Sequence, residues 1–134
     1  MVHFANAIMD IKPKSFKNEY ETTFILTPEL PEAEHKLAVD KFVNLIKDND
    51  GEVRNTEHWG MRKLAYSIER KTNGYYAFIE FTAYGDFVAK LDQAFRYDET
   101  VLRFLTVRLD KHSLAFNQKR REQGFGLRKQ AMKS

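Results

Sequence analysis

Hydrophobic and polar positions alternate with a period of two in four stretches of this chain and with a helical period in two others. From Glu19 to Thr27, Tyr20, Thr22, Phe24 and Leu26 alternate with Glu21, Thr23, Ile25 and Thr27, which predicts a strand. Pro28 stops it. Pro31 suits the first turn of a helix, where its missing N–H costs nothing, and Glu32 and Glu34 suit the positive helix start. Val39, Phe42, Val43 and Ile46 fall at i, i+3, i+4 and i+7, so the helix runs to about Asp48 with one apolar stripe. Asn49-Asp50-Gly51 is a stop and turn signal.

A long second strand follows, roughly Glu52 to Ile68, with a bulge or kink expected at Trp59-Gly60. In its later half Leu64, Tyr66 and Ile68 share one face with Arg62, and Lys63, Ala65 and Ser67 share the other. The apolar three are expected in a helix-covered core. A hairpin turn is expected over Arg70–Gly74, with Asn73-Gly74 supplying the positive φ angles. Tyr75 to Thr82 is the third strand, with Tyr75, Ala77, Ile79 and Phe81 on one face and Tyr76, Phe78, Glu80 and Thr82 on the other. Gly85-Asp86 begins a second helix, Asp86 being expected to cap it by accepting from free N–H groups. Phe87, Val88, Leu91, Ala94 and Phe95 form its stripe, Asp98-Glu99 ends it, and Val101 to Leu109 is the fourth strand.

The order β-α-β-β-α-β predicts an α+β, ferredoxin-like fold: a four-stranded antiparallel sheet with two helices on one face. Right-handed crossovers put the first and third strands in the centre and leave the fourth as an edge beside the first. The opposite sheet face is left free for a partner. Three regions are expected: a flexible N-terminal extension over residues 1–18, a ferredoxin-like domain over 19–110, and a basic C-terminal tail over 111–134.

Composition narrows the chemistry. The chain has 134 residues, 11 Phe, 6 Tyr, one Trp and no cysteine, so the core is aromatic-rich and disulfides, thiol nucleophiles and thiolate metal sites are excluded. No apolar run approaches the roughly 20 residues of a membrane helix. The N-terminus lacks the apolar core of a signal peptide, Asp10 interrupting Ala5 to Ile11, so a cytoplasmic protein is expected. The net charge of +3 is unevenly spread: the last 24 residues carry seven Lys or Arg against Glu122 alone, while the rest is mildly acidic. A basic tail suits nucleic acid or an acidic partner, and equally a solubilising end.

Catalytic and cofactor signatures are weak. His3, His35, His58 and His112 show no metal-ligand spacing and read as structural or solvated. Gly124-Phe125-Gly126 lies outside any strand-to-helix context. A ferredoxin-like hydrolase of the acylphosphatase type needs a phosphate-cradling loop after the first strand, but Thr27-Pro28-Glu29-Leu30-Pro31 is acidic, rigid and without glycine. No cofactor, membrane or small-molecule substrate is expected.

Two patterns point to RNA. Tyr76-Ala77-Phe78-Ile79-Glu80-Phe81 resembles the RNP1 strand of RNA-recognition domains, in which Tyr76 and Phe78 would stack on bases; aromatics on a strand also simply pack a core. The cations also cluster. Arg62 and Lys63 open the apolar half of the second strand, Arg96 ends the second helix, Arg103 and Arg108 lie in the fourth strand, and Lys111, Lys119, Arg120 and Arg121 follow. They suit phosphate contact, and charged edges also discourage unwanted strand pairing.

Trp59-Gly60-Met61-Arg62-Lys63-Leu64-Ala65-Tyr66-Ser67-Ile68 closely resembles the signature strand of the bacterial small-subunit ribosomal protein S-six family. Tyr20-Glu21-Thr22 through Thr27-Pro28, Gly74-Tyr75-Tyr76, and Phe95-Arg96-Tyr97-Asp98-Glu99 through Arg103 resemble other family stretches in collinear order, over about Asn18 to Lys111. Ser67 stands where the family favours proline. The resemblance implies a structural role without catalysis or cofactor: binding the central domain of small-subunit ribosomal RNA as a heterodimer with ribosomal protein S-eighteen. It also makes Arg62, Lys63, Arg96 and Arg103 the first candidates for RNA contact. The cations from Arg108 onward are candidates on charge and position alone.

Overall fold

The computed structural model describes residues 16–110 together with positions 116 and 119. Its elements are β1 (Lys17–Leu26), α1 (Glu32–Asp48), β2 (Glu52–Ile68), β3 (Lys71–Tyr84), α2 (Gly85–Tyr97) and β4 (Val101–Arg108). The sheet is antiparallel in the order β2-β3-β1-β4, so β1 and β3 are central as expected, and β2 and β4 are the edges. Of the extension expected over 1–18, residues 1–15 lie outside the described residues, and Lys17 and Asn18 belong to β1.

Both helices cover one sheet face. The alternation of β1 delivers Tyr20, Phe24 and Leu26 to that side, and β3 delivers Tyr75, Ala77, Ile79 and Phe81. They meet Val39, Phe42, Val43 and Ile46 of α1 and Phe87, Leu91 and Phe95 of α2. At the centre Phe24, Phe42 and Phe95 touch one another with ring centroids 4.3 to 5.4 Å apart. Each such ring contributes about 1.5–3 kcal/mol through burial, so this triad is the anchor of the helix layer. His35, in the first two turns of α1, is also buried. Its Nε2–H donates to the Thr27 carbonyl at 2.8 Å, and its ring lies flat on Tyr75 at 4.4 Å.

A second, smaller cluster sits on the opposite face: Ile25, Trp59, Leu64, Tyr76 and Phe78. It corrects one expectation. Leu64 is buried here, not under the helices; Ile68 packs against the same cluster, and Tyr66 is 79% exposed. The cause is irregular pairing of β2. Its register to β3 slips between Val53 and Asn55, between His58 and Gly60, and between Lys63 and Ile68. The second slip is the expected bulge: Gly60 adopts φ +79°, which glycine takes without steric cost. The third inserts more chain. Lys63 faces Asn73 and Ile68 faces Lys71, so Leu64 to Ser67 have no ladder partner on β3 and bow outward.

Two turn expectations also change. The β2–β3 turn falls at Glu69 and Arg70, with φ of 50° and 67°, not at Asn73-Gly74, which lie within β3 opposite Lys63 and Arg62. Consecutive positive φ values make a tight hairpin that matches strand twist, and non-glycine residues adopt it here. Gly74 answers a different need: a Cβ there would stand under 3.0 Å from Cγ2 of Ile25 and 3.3 Å from Cδ2 of Leu64. Asp86 lies in the first turn of α2, but no side chain caps that helix; Tyr84 is the N-cap residue.

Candidate nucleic-acid interface

The β2–β3 hairpin is longer than the sheet it belongs to. β1 ends at Leu26, opposite Tyr75, so Lys71–Gly74 and the β2 residues paired with them extend past the sheet end. At about 3.3 Å per residue the overhang reaches roughly 13 Å. It does not project straight. Three slips in one strand increase its coil, and the missing Cβ of Gly74 allows Ile25 to approach. The bowed segment thereby curls across the helix-free face towards β4. Ile25, Leu64, Ala65, Tyr66, Ile68, Tyr76 and Arg103 line one groove of about 230 Å3. Arg62, Lys63, Leu64 and Ala65 line a second concavity of about 370 Å3 on the same segment.

This geometry brings together cations from opposite sheet edges. Arg62 is half-buried and Lys63 exposed on β2; Arg103, exposed on β4, faces Ile25 across the β1–β4 ladder. Arg96 lies exposed in the last turn of α2, and the α2–β4 turn is tied to the end of β1 by the Thr27 N–H donating to Thr100 O at 2.7 Å. Arg62, Lys63, Arg96 and Arg103 therefore share one end of the domain. Arg70, at the hairpin turn, adds a further exposed cation that the sequence reading did not include among the candidates.

Arg108 is elsewhere. It pairs with Tyr20, five residues along β4 from Arg103 and so roughly 16 Å away. Lys119 is helical and exposed, and Lys111, Arg120 and Arg121 lie outside the described residues.

Local acids do not neutralise the cluster. Among the described residues the ion pairs are Lys41 with Asp98, Arg54 with Glu19, and Lys71 with Glu29. Arg62, Lys63, Arg70, Arg96 and Arg103 are in none of them. Asp98 is the nearest acid in sequence to Arg96, and it is committed to the turn: it accepts from the Thr100 N–H at 2.9 Å, the Thr100 hydroxyl at 2.6 Å and Lys41 Nζ at 3.0 Å. Burial pushes its carboxyl up, but the Thr100 hydrogen bonds and the Lys41 ammonium together outweigh this and hold it below its ordinary range. The charge of Arg103 also reaches the groove. Burial raises the Tyr76 phenol, and the nearby guanidinium partly opposes that rise.

The base-stacking platform expected from Tyr76 and Phe78 is not available. Both lie on the helix-free face, but Phe78 is fully buried and Tyr76 is 5% exposed. Trp59 lies parallel over Phe78 at 6.0 Å, held by its Nε1–H donating to Glu57 Oε1 at 2.8 Å; Glu57 also accepts from Asn55 Nδ2. A ring sealed beneath an indole cannot receive a base. Among the described residues, Tyr66, expected in the core, is an aromatic exposed on this face. Alternation in the sequence gives no signal for it; its exposure follows from β2 carrying more residues than β3 pairs with between the bulge and the turn.

Comparison with known proteins places the chain. A family model described as "Ribosomal protein S6" matches residues 19–108. The curated small ribosomal subunit protein bS6 of Porphyromonas gingivalis is 52% identical over 104 residues, covering 78% of this chain and 89% of the relative. Its counterpart in Bacteroides fragilis is 47% identical, covering 78% and 91%. Among solved structures, the 30S ribosomal protein S6 of Thermotoga maritima superposes with a TM-score of 0.68 at 29% identity, covering 80% of this chain and 97% of that one. A match over most of the folded region, with relatives near half identity, establishes that the chain belongs to the ribosomal protein S6 family, whose members are structural ribosomal proteins and not enzymes.

Proposed function

We propose that this chain, a small-subunit ribosomal protein of the cytoplasmic ribosome, binds the central domain of small-subunit ribosomal RNA as a heterodimer with ribosomal protein S-eighteen. The observation that carries the RNA part is the convergence of Arg62, Lys63, Arg96 and Arg103 on one end of the domain without acidic partners. Their contribution is phosphate neutralisation and shape recognition, because paired RNA hides its base edges in a deep groove. Arg108, Lys111, Lys119, Arg120 and Arg121 extend the same chemistry towards the tail.

The protein-partner part has separate support. On β4, Leu105 is 65% exposed and Val107 37% exposed, both on the helix-free face beside Thr23 and Glu21 of β1. Apolar side chains on an unpaired edge strand suit a protein surface laid against them.

The test has two arms. Lysate sedimentation at low and high salt should recover the protein with small subunits; a purely soluble pool refutes the role. Arg62→Ala, Lys63→Ala, Arg96→Ala and Arg103→Ala should each weaken binding to a central-domain transcript and flatten its salt dependence by about 0.7–0.9 in logarithmic slope per lost phosphate contact. Unchanged slopes for all four remove these residues from the interface.

A further inference from the structure

We propose that the outward-bowed segment Leu64–Ser67 and the groove beside it form a pocket for a single unpaired nucleotide, with its base against Tyr66 and its phosphate on Arg103. The inference rests on the RNA-binding reading and assigns this site to one RNA feature. Three observations on the structure converge here. Tyr66 is 79% exposed on a segment whose backbone has no ladder partner on β3. The groove of about 230 Å3 has room for roughly seven waters, and so for one flat heteroaromatic ring, between apolar walls from Ile25, Leu64 and Ile68. Arg103 closes the β4 side, is exposed, and has no ion-pair partner among the described residues.

A cation, an exposed ring and apolar walls meet the chemistry of a nucleotide at three points: the phosphate and the two faces of the base. An aromatic ring is a sequence-tolerant platform, since every base has a π-face. Paired RNA does not fit, because its bases are stacked inside the helix; an unpaired nucleotide at a loop, bulge or junction does. An apolar peptide would use the walls but would leave Arg103 desolvated without an anion. This charge requirement decides between the two occupants. Arg62 and Lys63, at the start of the same segment, are placed for the neighbouring phosphates.

The experiment uses the full chain with S-eighteen and a central-domain transcript. Tyr66→Ala is expected to weaken binding about tenfold without changing the salt slope, because stacking releases no counterions. Tyr66→Phe keeps the ring and should restore wild-type affinity. Arg103→Ala should instead reduce the slope. Tyr66 is on the surface, so thermal unfolding of Tyr66→Ala should match wild type. Short-wave ultraviolet irradiation of assembled subunits, followed by digestion and mass spectrometry, should leave a nucleotide remnant on the peptide carrying Tyr66.

Wild-type affinity in Tyr66→Ala overturns the proposal, as do remnants confined to other peptides of this chain. If Tyr66→Ala loses S-eighteen while keeping the transcript, the groove holds protein, and the proposal fails while RNA binding stands. If wild-type protein does not bind the transcript, the RNA-binding reading itself is what fails.

Discussion

Replacing Gly74 with alanine tests how the hairpin is held over the sheet. Strand glycines are ordinarily a weakness, and Gly→Ala relieves about 0.5–1 kcal/mol of backbone entropy. Here the added methyl would stand under 3.0 Å from Cγ2 of Ile25, where carbon atoms prefer about 3.5–4.0 Å, and 3.3 Å from Cδ2 of Leu64. Ile25 is β-branched and buried in the smaller cluster, so its methyl has little freedom to turn away. Overpacking of this kind costs about 1–3 kcal/mol. The clash outweighs the entropic gain, and Gly74→Ala should destabilise by about 1–2 kcal/mol, a fall in Tm of roughly 5–10 °C. Urea unfolding should show a lower midpoint at unchanged m. The decisive assay is the double-mutant cycle with Ile25→Ala, which removes the clashing methyl. The double variant should cost less than the sum of the singles by about 1–2 kcal/mol. Costs that add to within about 0.5 kcal/mol, or a stabilising Gly74→Ala, refute the close approach on which the curled hairpin and its groove depend.

Gly60→Ala provides the contrast: nothing lies within 4 Å of a Cβ there, so only the +79° φ opposes it, and guanidinium unfolding should show a loss of about 1 kcal/mol with no coupling to Ile25→Ala. Ser67→Pro should stay within about 1 kcal/mol of wild type in thermal melts, because Ser67 has no ladder partner whose hydrogen bond proline would remove; a collapse of Tm would show that its N–H is needed. Asp98→Asn should cost about 1 kcal/mol at pH 7 by weakening the tie among α1, the α2–β4 turn and Thr100. Its native carboxyl is held below the ordinary aspartate range, so its stabilisation is complete above that range and is lost as pH falls through the native value. The gap between wild type and Asp98→Asn in urea midpoint should therefore close on acidification below about pH 4, and a gap that widens there contradicts the assignment.

The helix-covered half of the molecule was legible from the chain because it depends on local periods. Val39, Phe42, Val43 and Ile46 form one stripe at any orientation of α1, and the alternation of β3 sends Tyr75, Ala77, Ile79 and Phe81 to one face whatever lies on the other. The order of elements and the handedness of crossovers then leave few sheet topologies, and the observed one was among them. Even the bulge at Gly60 was visible, since few reasons other than an irregular backbone place glycine inside a strand.

The candidate interface was only half legible. Its cations were visible as residue types near element ends, and family likeness selected Arg62, Lys63, Arg96 and Arg103. Their meeting at one end follows from the register of β1 with β3 and β4, which is a long-range property. Phe78 lies on the expected face, sealed there by Trp59, but Tyr66 and Leu64 were misplaced together, and for one reason. Period-two reasoning assumes an unbroken ladder, and each extra residue in β2 resets which side its successors face. The slips go with how the hairpin packs on Ile25, a β1 residue far from β2 in the sequence. Sequence alone therefore determined the elements, their order, the main core and the set of available charges. Tertiary structure decided which face the end of β2 presents, because strand register is set by packing across the sheet and not by the strand itself.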